Sequence, residues 1–354
     1  MSFCFNFDVQ VQATNPDDVD RDDLQKVKDT AVKPTEGIPE PAEPVKEAKE
    51  HHPPSDPHFL LVDAVPETVN IGTLPPLHFL NETVFEKTST EREDEEKILS
   101  RTVEQRSDLI SGVYEGGLKV WECTYDLLEL IEKDVETFGG KTVLDLGCGA
   151  GLLGILALKR GAGEVHFQDY NSTVIEQVTV PNVMLNCQDD DVDSEEDNEG
   201  KAKGKKQKED GCKKKLTEKQ EERDGKPPPK KRALDISQHP LLAKCRFFSG
   251  DWSTFLDLVI KEDPQPKYDL IFTSETIYNT SYYPSLHDTL HRLLAPDGLV
   301  YLATKSHYFG VGGGLHLFET FVGEKGIFSI DHLWDGEEGL QRHVVGLRFK
   351  GKGI

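Results

Sequence analysis

No stretch of the chain approaches the ~20 consecutive apolar residues that a helix needs to cross a bilayer. Its start, MSFCFNFDVQ, lacks the basic lead and apolar centre of a secretory signal, so no membrane partner is expected. Cysteine is sparse. The six thiols at 4, 123, 148, 187, 212 and 245 form no CxxC pair, and no His/Cys cluster has zinc spacing. No metal is expected on that ground, and scattered thiols suit a reducing, intracellular compartment. The twelve histidines show no ligand cluster either and read singly as surface or core residues. Positive charge is short: 41 Lys and Arg against 64 Asp and Glu leave a net charge of −23 at pH 7. Phosphate contacts need a positive face, so a generic nucleic-acid binder is disfavoured. Acidic tails that keep the chain soluble account for the charge more simply.

With 36% hydrophobic and 30% charged residues in 354, much of the chain must lie outside any core. A globular part of roughly 200 residues would still bury about 70% of its unfolded surface. Residues 1–57 are rich in Asp, Glu, Lys and Pro and are expected to be largely disordered. The alternating Phe3, Phe5 and Phe7 stand out there, as a short docking strand, a partner motif or a plain tail. Residues 58–96 read as a partly ordered extension, and 97–354 as one domain. That domain is interrupted at 188–238 by an acidic, then lysine-rich, then GKPPPKKR tract without apolar periodicity, expected to be a disordered insertion.

Within the domain, apolar residues at 98–99, 103 and 109–110 suggest short strands or a hairpin. Helices are expected at 124–133, 152–159, 173–186, 255–260, 282–294 and 315–322. Strands are expected at 142–146, 165–168, 245–248, 268–274, 299–305, 328–330 and 344–350. Strands alternating with helices argue for an α/β fold, a mostly parallel sheet covered on both faces.

The segment VLDLGCGAG at 143–151 leaves the first of these strands and opens a helix. Its glycines permit a tight turn and close approach of a ligand, and the helix start offers free N–H groups. A nucleoside cofactor at the carboxyl end of the strand fits this context. Gly149, Gly151 and Gly154 also spell GxGxxG, the dinucleotide fingerprint. Asp145 separates the two readings, because a carboxylate there opposes a pyrophosphate but favours the amino group and sulfonium of S-adenosylmethionine. Asp169, at the end of HFQDY, can accept from both ribose hydroxyls or cap the next helix. Gly250, Asp251 and Trp252 fall where adenine would lie. Asp251 can accept from its amino group, and Trp252 either stacks or fills core. Trp121 is a lid over the cofactor or a core residue.

The strand 268–274 ends in Ser274, Glu275, Thr276, Ile277 and Tyr278. No Asn-Pro-Pro-Tyr motif stands there, which disfavours adenine-N6 methylation and direct, sequence-specific nucleic-acid recognition. The pattern DLGCGAG resembles the signature of class I methyltransferases, whose fold is a Rossmann-like seven-strand sheet with an antiparallel last strand. Together with GVYEGGLKVWECT (112–124), KCRFFSGDWS (244–253), YDLIFTSETIYN (268–279) and SHYFGVGGGLHLF (306–318), the chain from about 100 to 354 resembles the protein-histidine N-methyltransferases.

That resemblance implies methyl transfer from S-adenosyl-L-methionine to the tele nitrogen of a histidine in large ribosomal subunit protein three, with a role in ribosome biogenesis and translation. It implies cofactor contacts at Val120, Trp121, Glu122, Cys123, Thr124, Gly147, Gln168, Asp169, Tyr170, Gly250, Asp251, Trp252 and Ser274, beside the Asp145 and Gly149 of the glycine-rich turn. A neutral imidazole already has a lone pair near pH 7, so such an enzyme needs tautomer control more than a strong base. Glu275 is the expected acceptor for the other ring N–H, with Tyr278 shaping the pocket. The alternative for Glu275 is a helix cap. His307 and Tyr308 precede the glycines at 310–314, read either as a mobile loop over the entry or as a plain connector. The basic tract, through Lys226, Lys230, Lys231 and Arg232, resembles a signal for a nuclear import receptor, or is a solvated charge run. Cytoplasm, nucleus and nucleolus are the compartments expected. A lysine methyltransferase of the same fold, and a cofactor-holding ribosome-assembly module, stay open at this level.

Overall fold

Five apolar runs pair side by side in one direction. In the computed structural model, which describes residues 45–54, 65–81, 96–105, 107–133, 138–187, 240–336 and 341–351, they form the centre of a single sheet. These strands are β4 (Thr142–Leu146), β5 (Glu164–Asp169), β6 (Cys245–Ser249), β7 (Tyr268–Ser274) and β8 (Leu294–Lys305). All four contacts between them are parallel, in the order β6-β5-β4-β7-β8. The order reverses at β4, so the crevice between β4 and β5 on one side and β7 on the other opens at the carboxyl ends. Beyond β8 the sheet turns antiparallel: β10 (Arg342–Phe349) lies between β8 and β9 (Phe328–Asp335).

Strand residues alternate between two cores, as a period of two requires. On one face Phe167, Leu270, Phe272 and Tyr301 pack against α2 (Glu122–Lys133), α3 (Leu152–Lys159) and α4 (172–187). On the other, Leu144, Ile271 and Val300 pack against α5 (Trp252–Val259), α6 (Tyr283–Leu293) and α7 (Leu315–Lys325). The central strands are therefore buried almost throughout, as a sheet covered twice demands, and β5 buries polar His166 and Gln168 as well. In α4 the turn Ile175–Thr179 is a π-helix. Thr179 Oγ1 there donates to Gly149 O at 2.7 Å, so the irregular turn braces the glycine-rich loop.

The structure corrects two expectations. Residues 98–105 form a helix, α1 (Ile98–Gln105), not short strands or a hairpin; only an isolated bridge joins Ile110 and Tyr114. Ile98 and Leu99 are fully buried at its start. Short apolar clusters of this kind do not distinguish helix from strand by period. The segment 45–54, assigned by composition to a disordered region, instead supplies β1 (Lys49–His51), antiparallel to β6. The sheet thus has eight strands, the expected seven plus this edge. Backbone pairing holds it, which composition does not encode, and so does Arg246. The Arg246 guanidinium forks onto Glu50 at 2.8 and 3.0 Å and onto Glu262 at 2.9 and 2.8 Å.

In the extension, β2 (Pro66–Val69) and β3 (Leu77–Leu80) form a separate hairpin. Asn182 and Asn186 of α4 bond its backbone at Leu80 and His78, while Leu77, Phe79 and Leu80 are buried. Phe3, Phe5, Phe7 and the insertion 188–238 lie outside the described residues.

Removing the Arg246 fork should cost about 1–2 kcal/mol, more than a single exposed ion pair because four charge-assisted bonds are lost. In Arg246→Ala the loss should concentrate at β1. Urea melts would read the total, and amide exchange at residues 49–51 should accelerate while exchange within β4 stays protected.

Candidate active site

The carboxyl ends of β4 to β7 border a cavity of about 250 Å³. Its floor is the loop Gly147–Gly151, where the backbone does what side chains would forbid. Gly147 has φ 69° and a Cβ there would sit 2.7 Å from Thr276 Cγ2. Gly149 has φ 50° and lies against Gly117 O, which a Cβ would meet at 3.2 Å.

Two acids stand beside this loop. Asp145 is buried and its Oδ2 accepts from Gly154 N at 2.9 Å. Asp169 is buried as well and accepts from Gly149 N at 3.0 Å and from Asn171 N at 3.2 Å. Burial pushes the Asp145 carboxyl up to about 8, against the Gly154 N–H and with a further rise from the neighbouring Asp169. Burial likewise raises Asp169, to about 6, against its two backbone N–H donors. The cap of α4 is Asn171, not Asp169.

Of the expected contacts, Val120, Trp121, Thr124, Gly147, Gly149, Tyr170, Gly250, Asp251, Trp252 and Ser274 line the cavity together with the two acids. Trp121 donates its Nε1–H to Gly116 O at 2.9 Å, fixing its ring at the rim. Trp252 both lines the cavity and packs against the core, and its Nε1–H is held by Gln168 Oε1 at 3.0 Å. Asp251 caps α5, its Oδ1 accepting from Ser253 N at 2.8 Å.

Three expected contacts do not line the cavity. Gln168 is fully buried behind it, donating to Asp169 O and Gly250 O, and so positions the wall. The Cys123 side chain is turned into the core. Glu122 faces Lys305 at 3.6 Å and Arg342 at 4.0 Å. Contiguity in VWECT does not survive on a helix, where neighbours point in different directions.

At the β7 end, Glu275 and Tyr278 do reach the cavity. Glu275 has φ 58°, in the left-handed region that a branched, Cβ-bearing backbone avoids at a cost of roughly 1–3 kcal/mol. Its N–H bonds Ala303 O at 2.9 Å, and its Oε1 meets Cys123 N and Lys305 Nζ, each at 3.4 Å. The helix cap after β7 is Asn279, whose side chain accepts from Ser281 N, so Glu275 is not a cap.

Sequence reasoning passed over Glu115, Tyr282, Lys305 and Lys46. Glu115 accepts from Gly112 N at 2.6 Å, from Tyr282 OH at 3.0 Å and from Tyr278 OH. Its place inside the quoted YEGG was the available signal. Burial raises the phenols of Tyr278 and Tyr282 above their ordinary range, so both remain neutral donors. The loop 310–314 is anchored at its end, where Gly313 N bonds Tyr278 O at 2.8 Å and a Cβ would meet Ile277 O at 2.3 Å, while Gly310 and Gly312 are exposed.

The expectation of no histidine ligand cluster fails. His332, Asp335 and His343 bring three ligand atoms within 4.8 Å of one another at the far edge of the sheet.

Both cavity acids hold folded-state values above their unfolded ones, so the folded protein binds the extra protons and stability falls as pH rises. The loss runs from about pH 4 to 6 for Asp169 and from about 4 to 8 for Asp145. The unliganded protein should therefore melt lower at pH 8.5 than at pH 6. Asp145→Asn, which keeps an acceptor for Gly154 N, should melt higher than the parent at pH 8.5, by scanning calorimetry.

A family model described as a methyltransferase domain matches residues 123–324. The histidine protein methyltransferase 1 homolog of Bos taurus is 47% identical over 309 residues, covering 86% of this chain and 74% of that protein. That of Mus musculus is 46% identical over 306 residues, covering 86% and 75%. That of Dictyostelium discoideum is 34% identical over 254 residues, covering 71% and 62%. The cofactor of this domain, S-adenosylmethionine, fits the residues present: a cationic amino acid moiety suits the buried acid Asp145, hydroxyls suit Asp169, and the glycine loop leaves room for both. By its domain, by this identity along most of its length and by the acids and glycines of its cavity, the chain belongs to the histidine protein methyltransferase 1 family and is an S-adenosylmethionine-dependent protein-histidine methyltransferase.

Proposed function

We propose that the protein methylates the tele nitrogen of one histidine in large ribosomal subunit protein three, and that Glu275 holds the proton of the other ring nitrogen while it does so. The substrate reading rests on the resemblance along residues 100–354. The role of Glu275 rests on one observation: a buried carboxylate on a left-handed backbone, clamped through Oε1, among the residues that line the cavity. Strain of this kind persists only where surrounding structure enforces it.

S-adenosylmethionine supplies an electrophilic methyl group on a good leaving group. The protein's share is placement, since an in-line displacement depends on distance and angle. A neutral imidazole attacks through the nitrogen that carries no proton. Glu275, accepting from the opposite N–H, selects that tautomer and stabilises the positive charge that develops on the ring. Lys305 and Cys123 N keep the carboxylate from turning away. Tyr278 and Tyr282, edge-to-face at 5.9 Å and both tied to Glu115, form a rigid wall suited to a flat aromatic ring. A lysine would need to lose a proton first, and no carboxylate-imidazole contact would serve it.

Ribosomal protein assembles in the nucleus. We assign nuclear entry to Lys226, Lys230, Lys231 and Arg232, which lie outside the described residues. Replacing all four with alanine should shift a fluorescent fusion toward the cytoplasm, and unchanged nuclear signal would remove the assignment.

For the chemistry, labelled cofactor and isolated large-subunit proteins should yield tele-methylhistidine, not methyllysine, on hydrolysis of the product. Glu275→Gln should lower turnover roughly 100-fold or more with cofactor affinity intact. Asp145→Asn should do the reverse, weakening cofactor binding by about tenfold or more through loss of one charge-assisted contact. Equal turnover of Glu275→Gln and parent at saturating cofactor would reject the role of Glu275.

A further inference from the structure

The strand pair β9–β10 carries a cluster that methyl transfer does not use. In a regular strand, residues three apart point to opposite faces. Here the register slips: His343 faces Asp335, Val344 faces Trp334, and Val345 faces His332, so Leu333 is the extra residue of a β-bulge. The bulge resets the alternation and brings His332 and Asp335 to one side, next to His343. His332 Nδ1 lies 3.2 Å and His343 Nδ1 2.5 Å from the same atom, Asp335 Oδ1.

The outer nitrogens decide what those inner ones present. His332 Nε2 is 2.7 Å from Glu319 Oε1 of α7, and a carboxylate can only accept, so without a metal the ring donates from both nitrogens, Nε2 to Glu319 and Nδ1 to Asp335. His343 Nε2 is 2.6 Å from Ser306 Oγ. A metal ion bound between Nδ1 and Asp335 Oδ1 would take the place of the Nδ1 proton and release it to solvent. An outer nitrogen held by a carboxylate or hydroxyl is how metal-binding imidazoles are oriented, and here it turns both inner nitrogens toward Asp335 Oδ1.

We propose that His332, Asp335 and His343 form a site for a divalent transition-metal ion of the Zn²⁺ class. Two imidazole nitrogens and one carboxylate oxygen suit such an ion, which binds them at roughly 2.0–2.2 Å, so that neighbouring ligands stand ~3.3 Å apart. The His332–Asp335 spacing already meets that distance. His343 and Asp335 must separate by just under ~1 Å, which the exposed Asp335 side chain allows without moving a strand. Three protein ligands leave a position open to water. The bound ion cross-links β9 to β10 and, through Ser306, braces the carboxyl end of β8, where the next residue back is Lys305, the partner of Glu275.

The test uses the full chain freed of metal by a chelator. Co²⁺, titrated in with absorbance as the readout, should bind at one equivalent with visible ligand-field bands and no thiolate charge-transfer band; Zn²⁺ should displace it. Binding should be lost in His332→Ala and His343→Ala and weakened at least tenfold in Asp335→Asn, a substitution at an exposed position that leaves the fold intact. Zn²⁺ should raise the melting temperature of the parent and not of Asp335→Asn. No saturable binding below ~100 µM metal would overturn the site. So would thiolate bands, equal affinity of parent and Asp335→Asn, or both imidazoles found protonated at pH 7 by NMR and indifferent to added Zn²⁺, which would make the cluster an ion-pair network.

Discussion

Two carboxylates, Asp145 and Asp169, are buried at the ends of adjacent parallel strands and held chiefly by backbone N–H groups. Keeping both ionised in the unliganded protein is costly, because low dielectric penalises each charge and each penalises the other. Much of the surrounding architecture serves this arrangement. The glycines bring backbone donors within reach, the π-turn of α4 fixes the loop through Thr179, and Gln168 ties the next strand end to it. The two acids are only partly balanced within the protein, by backbone N–H donors and, at Asp169, by the positive charge of Lys46. Binding energy is available because folding did not consume it.

A second expense sits at Glu275. The left-handed backbone and the clamp from Cys123 and Lys305 together set the direction of one carboxylate. The two expenses differ in kind. The first is electrostatic and is relieved when cofactor arrives; the second is conformational and persists through the reaction. A protein of this size can carry both because its two cores, one on each face of the sheet, are packed almost entirely with large apolar side chains.

Much of this was legible in the residues. The parallel strands betray themselves by short apolar clusters such as LIF of β7, and DLGCGAG by its glycines and acid in one turn. Elements that rest on long-range pairing were not. β1 is short, charged and flanked by proline-rich sequence, and nothing local marks it as a strand; its partners stand some two hundred positions away. Ile98–Gln105 spaces its three apolar residues as a helix does, but it is too short for that spacing to exclude a strand. At the site, residues named from contiguity fared unevenly, since Glu122 and Cys123 share a helix with Thr124 but face elsewhere. Glu115 and Lys305 are charged residues whose importance lies in whom they meet. The His332, Asp335 and His343 cluster was hidden by a single extra residue, which breaks the parity that a reader of strands relies on.

The edge strand has a kinetic meaning. Val45 and Lys46, just before β1, form part of the cavity wall, and Gly250 packs so closely on Ala48 that a Cβ would lie 2.5 Å away. Pairing Lys49 with Ser249 closes a very long loop, and contacts of that separation are slow to form. A peripheral strand is also among the first parts of a sheet to open. The central strands can thus assemble before the wall is complete. With β1 unpaired, Val45 and Lys46 would leave the wall, so the chamber is whole only when the segment before β1 lies along β6.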